Sequence, residues 1–170
     1  MVVKKKGPVL DKLETCRYSG RRFWLMKSEP TTYSLDDLKR DKRALWDGIR
    51  NYQARNIMTN DMQIGDGVIF YHSNANPPAA AGLAEVSGGP VPDPEQFNPD
   101  SDYFDSASDP KRPTWHCVEV KFVEKFKHLV PLEELRDNPV LSGLLLLQKG
   151  QRLSIQPLSK EEYNGICQMA

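Results

Sequence analysis

Trp46-Asp47-Gly48-Ile49-Arg50-Asn51-Tyr52-Gln53-Ala54-Arg55-Asn56 is the stretch from which the rest of the chain is read. Two aromatic rings, a glycine, two guanidiniums and three side-chain amides fall within eleven positions. Its only aliphatic side chains are Ile49 and Ala54, so core packing alone accounts for it poorly. Tryptophan, tyrosine, arginine and asparagine together suit the gripping of a flat polar ring: faces for stacking, amides for edges, guanidiniums for phosphate. Gly48 allows close backbone approach or a turn that a side chain would block. The segment is expected to form one wall of a nucleobase pocket, running from a loop into a helix near Tyr52.

Working outward, Phe23-Trp24-Leu25-Met26 is a short apolar run that suits a buried strand, ended by Ser28-Glu29-Pro30. Ser34 caps a short helix over residues 34–40, with acids early and bases late. Gly65-Asp66-Gly67 is a turn, and Val68-Ile69-Phe70-Tyr71-His72-Ser73 is a strand. Residues 79–86 read as the next antiparallel strand, with Gly82 marking a bulge or a close backbone approach. Residues 88–113 are rich in Pro, Asp and Ser and have no period, which predicts a long functional or mobile loop. A strand is expected over 115–126, and a proline-opened helix at Pro131. Leu141 to Leu147 should add helical turns. A last strand over 152–156 is expected to be stopped by Pro157. Ser159 with Glu162 forms a capping-box start for a closing helix. Five or so strands with interspersed short helices predict a curled or barrel-like mixed sheet of the α+β class.

A chain of 170 residues, 39% hydrophobic and 27% charged, suits one globular domain with a tail. Residues 1–21 mix Lys, Gly, Pro and isolated apolar side chains, which predicts a flexible basic extension preceding a domain over 22–170. No apolar run reaches membrane-spanning length, and Lys4-Lys5-Lys6 is not followed by the apolar core of a secretory signal. Three scattered cysteines fit neither a disulfide framework nor zinc spacing, so an intracellular location is expected, cytoplasmic in a bacterium and nuclear in a eukaryote. Net charge is zero, which argues against coating nucleic acid by bulk electrostatics. The charge is segregated: residues 1–27 carry eight bases against Asp11 and Glu14, and residues 91–110 carry six acids and no base.

These segments together resemble the EVE domain family. The resemblance rests on Phe23-Trp24-Leu25-Met26-Lys27-Ser28-Glu29-Pro30, the stretch from Trp46 to Asn56, and Phe70-Tyr71-His72-Ser73-Asn74. It is extended by Phe122-Val123-Glu124-Lys125-Phe126 and Arg152-Leu153-Ser154-Ile155-Gln156-Pro157-Leu158, and covers about residues 22 to 168. It implies a PUA-like mixed β-barrel of five to six strands with short peripheral helices, related to YTH and ASCH domains. It further implies a pocket for a modified base, here a modified cytosine in DNA.

The expected base pocket comprises Trp24, Lys27, Ser28, Glu29, Trp46, Gly48, Asn51, Tyr71, His72 and Ser73. Core packing competes for Trp24, a turn role for Ser28 and a helix cap for Asn51. Alternation puts Tyr71 and Ser73 on one strand face and His72 on the other. Arg50, Arg55 and Arg152 are expected to contact phosphate, with surface ion pairs as the alternative for Arg50 and Arg55 and a structural role for Arg152. No metal, cofactor or membrane is expected, and the partner is nucleic acid bound by a monomer. Two other readings remain: an RNA-binding module, and an ASCH-like amidohydrolase on acylated cytidine. The latter would use Lys27, Thr31 or Thr32, and Glu29 or Glu85. A non-catalytic reader is the favoured reading.

Overall fold

Phe23–Ser28 forms strand β1, and its apolar run has no alternation because both faces are covered. In the computed structural model, which describes residues 7–17 and 20–170, Trp24 and Met26 enter one hydrophobic cluster and Leu25 a second. The same division holds for β3, Gly67–His72, whose Val68 and Phe70 face the first cluster and Ile69 and Tyr71 the second. Trp24 Nε1 donates to the buried Asp66 Oδ2 at 2.8 Å, so its one polar atom is satisfied inside the core.

The remaining strands are β2 (Arg43–Leu45), β4 (Ala79–Pro92), β5 (His116–Pro131) and β6 (Ile155–Leu158). Among the described residues they form one six-stranded mixed sheet, ordered β2-β5-β4-β3-β1-β6. Among these described strands only β1 and β3 pair in parallel, with Ser28 opposite His72. A parallel pair needs a crossover, supplied by the segment that holds α2 (Leu35–Asp41), β2 and α3 (Tyr52–Asn60). The pairing sets the C-terminal ends of β1 and β3 side by side, and the chain leaving each strand opens at the same place. Helix α3 contacts β4 and β5 and also β6 at the far end of the order, so the sheet curls around it. This is the expected α+β arrangement of curled sheet and short helices.

Local chemistry explains most boundaries. Ser34 and Asp37 form a reciprocal capping box on α2, and Ser159 and Glu162 do so on α5 (Lys160–Met169). Pro131 precedes α4 (Leu132–Asp137) as expected. Gly82 is required: a Cβ there would lie 2.3 Å from the Glu124 carbonyl oxygen, beside a break in the β4–β5 register.

Three expectations need correction, and one strand was not foreseen. Pro8–Arg17 is a helix, α1, and not flexible chain: Val9 and Leu13, four residues apart, bury one face in the first cluster, and α1 contacts β6. Lys4-Lys5-Lys6 lie outside the described residues. Strand β4 continues to Pro92 and pairs with β5 as far as His116, so the connecting segment begins only at Asp93. Strand β2 is only three residues long, below the length at which alternation can be read. Pro157 lies inside β6 and does not stop it, because β6 is an end strand with one unpaired edge, where a missing N–H costs nothing. Among the described residues no helix is long and apolar enough to cross a membrane.

Candidate functional site

Where β1 and β3 end, a cleft of about 820 Å³ opens. Its first wall is the exit of β1 and β3: Lys27, Ser28 and Glu29 with Ser73 and Asn74. The opposite wall is the chain from Ala44 to Ile49, and Arg152 and Ser154 approach from the segment leading into β6. Tyr103 closes the rim from the connection between β4 and β5.

Each wall is held by identifiable bonds. Ser28 Oγ donates to the Tyr33 carbonyl at 2.6 Å, which fixes the turn after β1 and leaves the hydroxyl oxygen free to accept. The Lys27 backbone N–H donates to the Ser154 carbonyl at 2.8 Å, joining β1's exit to the segment before β6. Lys27 lines the cleft, and partial burial of its ammonium lowers its pKa. Among the described residues no carboxylate forms an ion pair with it.

Trp46 serves core and cleft at once. It is 7% exposed and meets Phe70 edge-on, ring centres 5.4 Å apart, yet it also lines the cleft. Its backbone N–H is anchored to the Val118 carbonyl at 2.8 Å. Asp47 follows, also lining the cleft; burial, reinforced by Asp93 and Glu95, raises its carboxyl pKa. Gly48 has φ +72°, and a Cβ there would sit 2.9 Å from the Tyr103 ring, so glycine is demanded twice. Its N–H donates to Asp93 Oδ2 at 2.9 Å, and Arg50 Nη1 donates to the same oxygen at 2.8 Å. Asp93 also caps the short turn Pro94–Phe97.

The segment carrying Tyr103 is organised from inside. Gln96, fully buried, donates from Nε2 to the Asp93 and Trp115 carbonyls at 2.7 and 2.8 Å. Its Oε1 accepts from Ser108 Oγ and the Trp115 N–H. Arg50 adds a further tie by donating to the Tyr103 carbonyl.

Of the expected pocket residues, the cleft gathers Lys27, Ser28, Glu29, Trp46, Gly48 and Ser73, together with Arg152. Four do not line it. Trp24 is fully buried and committed to Asp66. Asn51 is the N-cap of α3, its Oδ1 accepting from the Ala54 N–H at 3.0 Å. Tyr71 packs in the second cluster, where burial pushes its hydroxyl up to about 12. His72 turns toward α2: its Nε2 accepts from the Leu35 N–H at 3.1 Å, and its ring stands edge-on to Phe70 at 5.6 Å. Ser73 reaches the cleft because it lies past the end of β3, where alternation no longer governs direction.

Arg50 is engaged with Asp93 and Tyr103, and Arg55 with the Thr114 carbonyl and Asn56. The residues weighed for hydrolysis are only partly assembled. Lys27, Glu29 and Thr32 share the cleft, whereas Glu85 pairs with Arg21 and Lys121 elsewhere. Sequence reasoning missed Tyr33 and Tyr103 as lining residues, and included Asp47 only as part of the Trp46 segment. For Tyr103 the one available signal was an adjacent aromatic pair, Tyr103-Phe104, in an otherwise polar acidic segment. Among the described residues no group of three His, Cys, Asp or Glu could hold a metal ion.

A curled mixed sheet with its cleft at the ends of a parallel strand pair is the frame into which known proteins can be placed. The family model described as EVE domain matches residues 22–169, and the chain belongs to that family. It is 36% identical to mouse thymocyte nuclear protein 1 over 190 residues, covering 98% of this chain and 83% of that protein. Among solved structures it resembles a protein from Pseudomonas syringae, with TM-score 0.83 and 40% identity over 86% of this chain and 98% of that one. It also resembles the human THYN1 protein in complex with DNA containing 5-methylcytosine, with TM-score 0.81 and 36% identity over 87% of this chain and 96% of that one.

Proposed function

We propose that this protein binds DNA carrying a modified cytosine and takes the modified base into the cleft at the ends of β1 and β3, without chemical conversion. The observation that carries the reading is the cleft's edge chemistry beside an aromatic wall, in a chain similar to a protein solved with 5-methylcytosine DNA. A cytosine edge offers one amino donor next to two acceptors. Asp47 supplies the acceptor for the 4-amino group, and the Lys27 ammonium the donor for N3 or O2. Trp46, Ile49 and Ala44 supply apolar surface for a 5-methyl group. Arg152 at the same cleft supplies charge for the adjoining phosphate. Taking a base out of a duplex costs a few kcal/mol. Stacking of about 1–3 kcal/mol and the edge bonds offset that cost.

Truncating Trp46 is a poor probe, because its indole also fills core space against Phe70 and a cavity there would lower stability. Asp47→Asn and Lys27→Met change edge chemistry at partly exposed positions. Each is expected to weaken binding of 5-methyl-2′-deoxycytidine about tenfold by calorimetry with the thermal midpoint retained, while Lys160→Gln on α5 changes nothing. Wild-type affinity in both cleft variants would place the base elsewhere. Incubation with N4-acetylcytidine is expected to release no acetate; turnover lost in Lys27→Met would instead establish the hydrolase reading.

A further inference from the structure

Beside the cleft lies a second aromatic surface that base capture does not use. Tyr52, the first residue of α3, is 60% exposed, and its ring stacks on the buried Trp115 with centres 4.8 Å apart and planes 29° from parallel. Trp115 is fixed by its Nε1, which donates to Asp105 Oδ2 at 2.7 Å. The Arg55 guanidinium is 4.9 Å from the Tyr52 ring centre and 5.8 Å from that of Trp115. With Tyr52 and Trp115 themselves 4.8 Å apart, the three centres make a compact triangle whose longest side is 5.8 Å. Arg55 therefore stands beside the stack, since a position on Tyr52's outer face would put it about twice as far from Trp115. The outer face of Tyr52 is left open, in agreement with its exposure.

Charge and continuity indicate what covers that face. Arg50 is neutralised by Asp93, but Arg55 bonds only to the uncharged oxygens of Thr114 and Asn56. Among the described residues no carboxylate forms an ion pair with it. An unmatched guanidinium beside an open ring is complementary to a nucleotide, base on the ring and phosphate on the arginine. The surface is also continuous with the cleft: Arg50 lies 5.3 Å from the Trp115 ring and 5.6 Å from that of Tyr103, the cleft's rim.

We propose that the open face of Tyr52, backed by Trp115 and flanked by Arg55, is a second stacking subsite for an unpaired base of the same DNA strand whose modified base occupies the cleft. The proposal rests on the base-in-cleft reading for the second half of that statement only. A base stacked there has left its own duplex stack, so the protein favours single-stranded or locally melted DNA over an intact duplex.

The test uses the full chain, a fluorescein-labelled single-stranded heptadeoxynucleotide with a central 5-methylcytosine, its duplex, and free 5-methyl-2′-deoxycytidine. Tyr52→Ala should weaken the single strand at least fivefold, the equivalent of about 1 kcal/mol of base stacking. It should leave the free nucleoside unchanged, and Tyr52→Phe should restore binding, since the stack needs only the ring. The wild type should bind the single strand more tightly than the duplex. Wild-type affinity of Tyr52→Ala for the heptanucleotide overturns the subsite, as does tighter binding of the duplex. Oligonucleotide binding that depends on Tyr52, with no binding of free nucleoside, keeps the subsite and removes the cleft reading. Absence of binding to every probe removes both.

Discussion

His72 shows how one side chain can look functional in sequence and be structural in place. At the end of a strand among polar neighbours it reads as a base contact. In the fold its neutral Nε2 accepts from the first N–H of α2, a group that a helix start leaves without an internal partner. Burial lowers its pKa below the ordinary 6.5, with Asp36 opposing and Lys125 reinforcing the shift. Because the folded value lies below the unfolded one, its contribution is complete above about pH 6.5 and is lost as pH falls through the folded value. The thermal midpoint should therefore drop between pH 7 and pH 5, and His72→Gln should drop less steeply. Parallel curves for the two proteins would remove His72 from the acid response. Trp46 carries the complementary lesson. Its flanking Asp and Gly suggest a pocket wall, and it lines the cleft, but its packing on Phe70 lay beyond sequence because it depends on a strand more distant in the chain.

At the scale of elements, legibility followed length and local chemistry. Strands β1 and β3 announced themselves by apolar runs, and α2 and α5 by caps whose bonds are internal to a few residues. Helix α1, strand β2 and the organised connection between β4 and β5 did not, because each is held by distant partners: α1 by the first cluster and β6, β2 by β5, the connection by Gln96. The acidic, period-free composition of that connection reads as a mobile loop, yet one buried amide ties it to Asp93, Ser108 and Trp115. Gln96→Ala leaves buried donors and acceptors unsatisfied at about 1–3 kcal/mol each. Urea denaturation is expected to show a loss of roughly 2–4 kcal/mol, with amide exchange accelerated chiefly between residues 94 and 115. Unchanged exchange there would mean that another contact orders the segment. Since Tyr103 belongs to it, the same variant should also loosen the rim of the cleft.

For the whole molecule, a net charge of zero argues against affinity built from bulk electrostatics and favours binding through a few placed groups. The fold concentrates them through the parallel pairing of β1 and β3, which lays two strand exits side by side, with the Trp46–Ile49 segment lining the same cleft. The strands and the Trp46 segment were legible separately; their convergence was not, because it follows from a crossover that no local pattern encodes. Seven of the thirteen residues expected to touch nucleic acid do line the cleft, Arg152 among them, while the others serve as caps, core or ion-pair partners. Arg55 is the exception, facing instead the open stack on Tyr52.

The most direct test of a base in this cleft is a heteronuclear NMR titration of the wild-type protein with 5-methyl-2′-deoxycytidine. The account predicts saturable shifts confined to the Trp46 indole N–H and the amides of Lys27, Ser28, Asp47, Gly48 and Ser73. Shifts centred on any other surface, or none at millimolar nucleoside, would contradict it.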